Sequence, residues 1–334
     1  MKKKCLLLPV LILLISVPAE IVAQKSVILH HEGISTFYPS VTEALSASLD
    51  NDTLYISGGV YVENVTIDKD LTIYGAGHYP DSSAATGVTR INGNFTVDGV
   101  SYGFIEGVYL NDITFRNGAS GFTVSRCNVN GVLFSSGSTY SNFNFTENVV
   151  RNRFHFINLA DNILIEKCLL GNNISSFNGS ALLVRNNIFL WTPTTSRRLF
   201  EGVYGAVVQN NIFLMTNGAL TNTSPDDNLF ENNIFVFDQT GLNSTNLTGV
   251  DHSTLFVSQE GMVFDYQHNY HSATGSPAIG FGKDGTDAGI YGTSFPYKES
   301  AVPSNPHFSI AEIADQTDEE GKLSVRIRVA GQNR

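Results

Sequence analysis

RNNIFL (residues 185–190) returns as QNNIFL (209–214) and as ENNIFV (231–236), so the chain three times places two asparagines before an Ile-Phe pair. A pattern that returns at a near-constant interval indicates a repeat architecture, in which each copy is one structural unit. The motif therefore bears on the fold of the whole chain before it bears on any single site.

The pattern extends backwards in degraded form when the second amide of each copy is aligned. The aligned pairs, 19 to 24 residues apart, are Asn128-Val129, Asn148-Val149, Cys168-Leu169, Asn187-Ile188, Asn211-Ile212 and Asn233-Ile234. An aliphatic residue always follows the amide, and a polar residue, from Arg126 to Glu231, lies two positions before it. A period of about 20 is too short for paired helices, and the frame of leucine-rich repeats is absent.

These features predict a parallel β-helix, a solenoid whose short strands pair with their equivalents about 4.8 Å above and below. Strands at 53–57, 65–68 and 71–74 then belong to the first coils, and residues 53–250 form roughly nine or ten coils. Asparagine suits a sharp corner because it tolerates the left-handed conformation, and stacked amides can hydrogen-bond from coil to coil. Cys127 is expected one column away from Cys168 and two coils below it, so both should be free thiols.

The N-terminal residues predict that the protein is exported. Residues 1–23 combine Lys2 to Lys4, a short apolar run and small residues before position 24, which is the layout of a secretory signal peptide. We expect 24–298 to form the β-helix with its N-terminal cap and 299–334 to form a C-terminal hairpin or tail. The expected location is the periplasm, the cell surface or the extracellular space.

The net charge of the chain disfavours some classes of binding partner. Removing residues 1–23 takes away three lysines and one glutamate, so the formal charge falls from −11 to −13. Such a chain is a poor partner for nucleic acid or an anionic membrane surface, and no other apolar run is long enough to insert into a bilayer. It repels an acidic polysaccharide unless a cation or a local basic patch intervenes. We expect a monomer.

Two segments carry a resemblance to a known group. YPSVTEALSASLDNDTLYISGGVYVENVTIDKDLTIYGAG (38–77) resembles the opening segment of pectin methylesterases and related β-helices, and Ser40 with Glu43 reads as a capping box for its helix. GSPAIGFGKDGTDAGIYG (275–292) resembles the closing segment of many secreted right-handed parallel β-helix proteins. The resemblance is to the pectate-lyase-like superfamily; it implies the right-handed fold over about residues 38–292 and leaves the chemistry open.

The catalytic sets of that superfamily's enzymes are not found. No column stacks acids: the one beside the amides reads Cys127, Glu147, Lys167, Asn186, Asn210 and Asn232. The segment 283–289 lacks the alternating ligands and the closing glutamate of a calcium loop, so we expect a glycine-rich turn, with no metal and no cofactor. The column of Phe189, Phe213 and Phe235 fits core packing better than a sugar platform, and Glu166 with Arg185 fits a surface ion pair.

Two places are candidate substrate-binding sites. Arg151 and Arg153 alternate with His155 along VVRNRFHF (149–156), which fits an anion or uronate patch or an exposed strand with solvated arginines. The interval between Asn187 and Asn211 is longer than its neighbours by about four residues. Its extra length falls in WTPTTSRRLFEG (191–202), where Trp191, Arg197 and Arg198 fit stacking on a sugar and binding of its carboxylate, or else a loop folded back on its own coil.

The tail 307–334 alternates apolar and polar residues around an acidic turn near 318–321, which predicts a hairpin. We expect it to pack as a C-terminal cap, with an edge for attachment as the alternative. The sequence therefore favours an exported, non-catalytic β-helix protein that binds acidic glycan or has a structural role at the envelope. Two alternatives stay open: a polysaccharide lyase or hydrolase with a divergent active site, and an adhesin or assembly subunit.

Overall fold

The computed structural model describes residues 26–157, 159–192, 197–221 and 227–331. It is nearly all β, with 5% helix, and forms a parallel β-solenoid of about nine turns. The predicted β-helix is therefore confirmed. The signal-peptide prediction concerns residues outside the described ones. Within the described part of the chain, no helix is both long and apolar enough to cross a membrane.

The helix and strands follow one another in short pieces. The first half contains β1 (Val27–His31), β2 (Ile34–Tyr38), α1 (Val41–Ala47), β3 (Thr53–Ile56), β4 (Gly59–Tyr61), β5 (Val65–Ile67), β6 (Leu71–Tyr74), β7 (Thr89–Ile91), β8 (Phe95–Asp98), β9 (Gly103–Glu106), β10 (Tyr109–Arg116), β11 (Phe122–Ser125), β12 (Asn128–Phe134), β13 (Tyr140–Thr146), β14 (Val149–Val150) and β15 (Phe154–Phe156). The second half contains β16 (Ala160–Glu166), β17 (Leu169–Leu170), β18 (Ile174–Ser175), β19 (Asn178–Arg185), β20 (Ile188–Phe189), β21 (Phe200–Glu201), β22 (Tyr204–Gln209), β23 (Ile212–Phe213), β24 (Leu229–Glu231), β25 (Ile234–Phe235), β26 (Phe256–Ser258), β27 (Asn269–Ser272), β28 (His307–Ile313) and β29 (Val325–Ala330).

Two long sheets form the wall of the solenoid. One has eleven strands in the order β2-β1-β3-β6-β9-β11-β13-β16-β19-β22-β24, and the other has fourteen strands. From β3 onwards the eleven-stranded sheet is parallel, whereas β1 pairs antiparallel with both β2 and β3. This N-terminal hairpin is not foreseen by the sequence, because its residues lie before the repeat begins.

The predicted cap helix is present as α1, next to the hairpin. The backbone N–H of Glu43 donates to the Ser40 hydroxyl at 3.2 Å, and that hydroxyl donates to the Glu43 carboxylate. The helix buries Val41, Ala44 and Leu45. An apolar face turned onto the first coil closes the open end that a solenoid would otherwise expose.

The register of the repeat differs from the sequence alignment at one coil. Strand β12 pairs Asn128 with Val149, so Cys127 and not Asn128 shares the column of Asn148. The alignment at Asn128 is therefore wrong by one residue, and Cys127 lies in the same column as Cys168. For the same reason Ser125 takes the outward polar position that was expected for Arg126. Both cysteines are buried and free, as predicted.

The amide ladder itself is confirmed. Backbone N–H groups of Asn187, Asn211 and Asn233 each donate to the side-chain oxygen of the next rung, at 2.8 Å to Asn211 and at 3.0 Å to Asn233 and Asn246. The side-chain amides continue the ladder at 2.9–3.0 Å. Each ladder residue therefore joins two coils, and the side chains of all four are buried.

The residues before the rungs form the left-handed corner. Their φ values lie between 48° and 57°, and they are Arg126, Glu147, Lys167, Asn186, Asn210 and Asn232. This corner column begins with Arg126, where the sequence alignment placed Cys127. Asparagine suits the corner because it adopts φ > 0 more easily than most residues.

The chain after β25 runs back along that corner, and we call residues 250–305 the returning segment. Each corner residue forms a hydrogen bond of 2.6–3.2 Å with the returning segment, and so does Glu106, one coil below Arg126. The bonded pairs are Phe281 with Asn232, Lys283 with Asn210, Gly289 with Asn186, Phe295 with Lys167, Lys298 with Glu147, Val302 with Arg126 and Ser304 with Glu106. The segment therefore covers the corner from the last coils to the first.

The interior is filled by stacked aromatic rings, as the phenylalanine column predicts. The ring of Phe213 lies 4.5 Å from those of both Phe189 and Phe235, and all three are fully buried. The predicted surface ion pair is also present, with Arg185 Nε 2.6 Å from the Glu166 carboxylate.

The C-terminal hairpin forms as predicted between β28 and β29. Its predicted role as a cap is wrong, because its side chains stay in solvent: Val325 is 52% exposed and Ile327 57%. Register partners Ala311 with Ile327 and Ile313 with Val325 share one apolar face. That face is not covered by the rest of the described chain.

Candidate functional site

Three consecutive coils build one pocket on the outer face of the fourteen-stranded sheet. In β15, β18 and β21 the register aligns His155 with Ser175 and Ser175 with Glu201. Register partners in a parallel sheet point to the same side, so these three side chains form an outward column. The pocket has a volume of about 190 Å³, and its lining residues are Arg153, His155, Asn173, Ser175, Ser176, Arg197 and Glu201. We call it the arginine pocket.

The pocket brings together side chains from the two places that the sequence singles out. Arg153 is half-buried directly before β15, and Arg197 is exposed in the interval before β21. Both arginines line the same cavity, and a guanidinium group has several N–H donors suited to a carboxylate or sulfate oxygen. Part of the long interval, residues 193–196, lies outside the described chain.

His155 is the third basic group of the pocket. Its Nδ1 lies 2.9 Å from the Ser175 hydroxyl. Partial burial, and then the charge of Arg153, lower the pKa of His155 below its ordinary value, while Glu201 has the opposite effect. At neutral pH the imidazole is therefore uncharged, and the two arginines carry the positive charge of the pocket.

The opposite wall offers hydrogen-bond acceptors. Asn173 is only 4% exposed, and its side-chain N–H donates to the Glu201 carboxylate at 3.1 Å. The Asn173 side-chain oxygen is buried and has no hydrogen-bond partner within the described chain. Buried polar atoms are nearly always paired, so this oxygen is suited to a hydroxyl of a bound molecule or of water. The pocket thus presents cationic donors on one side and acceptors on the other.

Arg151 does not line the arginine pocket. Its Nη2 donates to the Leu110 carbonyl oxygen at 2.8 Å, its Nη1 donates to the Tyr109 hydroxyl, and its guanidinium lies 4.3 Å from the Tyr109 ring centre. Arg90 lies over the same ring at 4.1 Å. Arg151 thus packs against its own solenoid, and its predicted part in substrate binding stays a prediction.

The remaining predicted binding residues lie outside the pocket lining. Trp191 is half-buried and packs against the main hydrophobic core. This position agrees with the alternative in which the long interval folds back on its own coil. Arg198 is half-buried as well. Their predicted contact with glycan stays a prediction.

In the part of the chain that the structure describes, no three His, Cys, Asp or Glu side chains lie close enough together to hold a metal ion. In the segment considered for calcium, the Asp284 side chain accepts from the Thr286 N–H at 3.2 Å and from its hydroxyl at 2.8 Å. Asp284 therefore caps a local turn.

Comparison of the sequence with protein-family models matches none of them, and comparison with curated proteins finds no similar sequence.

Asn173, Ser175 and Glu201 complete the pocket and are not singled out by the sequence. They lie in irregular stretches and short strands away from the amide ladder, so the repeat alignment does not place them. The available signal was the approximate period itself: Arg153 and Asn173 lie 20 residues apart. That spacing assigns equivalent positions on adjacent coils, which is how their side chains meet.

Proposed function

We propose that this is an exported, non-catalytic β-helix protein that binds acidic glycan, with one uronate residue in the arginine pocket. The observation that carries the proposal is the convergence of Arg153 and Arg197, from separate coils, on the lining of one cavity. A uronate has a carboxylate for the guanidinium groups and hydroxyls for the acceptors.

The negative charge of the protein makes binding of an acidic glycan depend on the arginine pocket. The chain carries a formal net charge of −11, so a polyanion is repelled by most of the surface. A site that supplies two guanidiniums locally overcomes this repulsion only where a carboxylate reaches both of them. Hydrogen bonds between ionised partners are roughly twice as strong as neutral ones. Binding should therefore depend on the ligand's carboxylate more than on its hydroxyls.

The non-catalytic part of the proposal rests on the carboxyl groups of the pocket. Glycoside hydrolysis uses two carboxyl groups flanking the scissile bond. Among the described residues that line the arginine pocket, Glu201 is the single carboxylate, and the Asn173 amide donates to it. The pocket therefore supports binding better than hydrolysis, with a divergent lyase or hydrolase as the alternative.

The experiment is retention on immobilised polygalacturonate with amylose as the neutral comparison, using the full chain. Arg153→Gln and Arg197→Gln each remove one guanidinium, and we expect each to weaken retention about tenfold and the double variant to abolish it. Arg116→Gln is the matched control, because Arg116 is an exposed arginine paired with Asp98 away from the pocket. Unchanged retention of the double variant would refute the proposed site.

The same incubation separates a binder from an enzyme. Release of unsaturated or reducing-end products by the wild type, and their loss in the double variant, would replace the proposal by the lyase or hydrolase alternative. Retention without products is the result that the proposal predicts.

A second candidate function, an adhesin or assembly subunit, is favoured by the C-terminal hairpin. Its apolar face, centred on Ile313, Val325 and Ile327, is exposed, although a two-stranded hairpin alone is at best marginally stable in water. We expect a monomer, and sedimentation of the purified chain tests this. A concentration-dependent oligomer that becomes monomeric in Val325→Glu would favour assembly.

A further inference from the structure

A second cleft lies where the returning segment crosses the loop between β6 and β7. It has a volume of about 240 Å³ and shares none of its lining residues with the arginine pocket. The residues that matter for its chemistry are Tyr79, Tyr270, His271, Tyr291, Tyr297 and Glu299. We call it the tyrosine cleft.

Aromatic rings form the walls of the tyrosine cleft. Tyr291 and Tyr297 meet at 80° with ring centres 6.0 Å apart. On the loop side, Tyr79 meets Tyr266 at 78° with ring centres 4.8 Å apart. All four tyrosines line the one cleft, and we call these four rings the aromatic box.

The polar ends of these rings are largely bonded to one another. The Tyr79 and Tyr297 hydroxyls lie 3.2 Å apart, and the Tyr270 hydroxyl lies 3.3 Å from Nδ1 of His268. Burial, and then the nearby Glu299 carboxylate, raise the pKa of the Tyr291 hydroxyl. A neutral sugar therefore finds few free hydroxyls here, whereas the Glu299 side chain, although it lies beside His271, is still 65% exposed.

The electrostatic sign of the cleft is opposite to that of the arginine pocket. Burial raises the pKa of Tyr79, Tyr270, Tyr291 and Tyr297, so the phenols stay uncharged. Glu299, with its side chain 65% exposed, is the single carboxylate of the lining, which contains no lysine or arginine. The charge of the cleft therefore repels anions and attracts cations.

His271 shows how a nitrogen group fits against these walls. Its imidazole stacks on the Tyr291 ring with centres 3.8 Å apart and planes at 14°. Its Nε2 lies 3.0 Å from the Glu299 carboxylate. The cleft thus already holds one nitrogen-bearing group between a phenol face and a carboxylate.

The backbone beside Glu299 is held in an uncommon conformation. Ser300, which lines the cleft, and Ala301 have φ values of 56° and 43°, and neither is glycine. Consecutive left-handed residues of this kind persist where the surrounding structure holds them, and ligand clamps are one such place.

We propose that the tyrosine cleft binds an organic ammonium group, with the phenol faces of its box around the cation and Glu299 as the counter-charge. Cations are attracted to the faces of aromatic rings, and aromatic cages recognise quaternary ammonium groups in this way. This site goes beyond the uronate site, because it selects the opposite charge with different residues.

The test is calorimetric titration of the full chain with choline and with its neutral carbon isostere, in which carbon replaces the nitrogen. We expect choline to bind at least tenfold more tightly than the isostere. Glu299→Gln and Tyr291→Leu should each weaken choline binding about tenfold. Glu319→Gln and Tyr102→Leu are the matched controls, since both residues are exposed and lie outside the cleft.

Thermal melts of all variants establish that the fold is retained. Equal binding of the isostere would overturn the proposal, because an apolar pocket would then explain the affinity. Choline binding that survives both cleft variants, or no choline binding at millimolar concentration, would overturn it as well. Binding of cellobiose in place of choline, lost in Tyr291→Leu, would make the cleft a neutral-sugar site. The Arg153→Gln and Arg197→Gln variants should bind choline like the wild type, which keeps this test independent of the uronate proposal.

Discussion

Replacing Asn211 by alanine removes one rung of the buried amide ladder and should destabilise the protein by about 4 kcal/mol. The Asn211 side chain takes part in four hydrogen bonds of 2.8–2.9 Å: it accepts from the backbone and the side chain of Asn187, and it donates to Val184 and Asn233. Each such bond contributes about 1 kcal/mol net, within a range of roughly 0.5–1.5. The Asn187 backbone N–H also loses its acceptor in a site with no solvent exposure.

Urea unfolding followed by far-ultraviolet circular dichroism measures this loss. A domain typically has about 5–15 kcal/mol of stability, so the variant should remain folded in buffer while its midpoint falls clearly. Asn144→Ala is the matched control: Asn144 is exposed on β13, and its one side-chain contact, to the Thr123 hydroxyl, is 3.5 Å long. The control should change stability by no more than about 0.5 kcal/mol. A loss below about 1 kcal/mol in Asn211→Ala would refute the ladder as a stabilising element.

Four further predictions concern single groups. Burial raises the pKa of both Cys127 and Cys168 to about 12, so neither thiol should react with a disulfide reagent until the chain unfolds. Truncation after Pro306 should leave the thermal midpoint nearly unchanged, because the hairpin that it removes is exposed; a sharp fall would restore the cap. Burial lowers the pKa of His78 from 6.5 to about 3. Below about pH 6.5 the unfolded chain therefore binds a proton that the folded chain does not, and the free energy of unfolding should fall by up to about 1.4 kcal/mol per pH unit. His78→Leu should reduce this slope. A bound carboxylate should raise the lowered pKa of His155, so uronate should bind more tightly as pH falls from 7 to 5, and pH-independent binding in the wild type would contradict this.

The repeat carried most of the fold prediction, because side chains that stack in register must recur at the coil period. Its one error arose where the rung is Cys127 and the following residue is an asparagine, so that the amide signal pointed to Asn128. Hydrogen bonding decides the register: the Cys127 N–H donates to the Asn148 side-chain oxygen at 2.9 Å. At the other thiol rung the sulfur also takes part, since the Asn148 backbone N–H donates to Cys168 Sγ at 3.4 Å.

The candidate site could be predicted only in part. Arg153 and Arg197 were marked by local composition and by the long interval, but their convergence depends on three coils meeting. The tyrosine cleft had no periodic signal, since the returning segment is irregular and its contacts reach back to Tyr79, which precedes Tyr297 by 218 residues. Polar corner residues such as Glu147 and Lys167 carry no sequence signal for a contact with that segment, yet they hold it in place.

One titration tests the uronate proposal most directly: glucuronate against glucose, two sugars that differ by the carboxylate that Arg153 and Arg197 are proposed to bind. The account predicts that the wild type binds glucuronate at least tenfold more tightly, a difference of about 1.4 kcal/mol, and that the Arg153→Gln, Arg197→Gln double variant loses this preference. Equal binding of the two sugars by the wild type, or a preference that survives in the double variant, would contradict it.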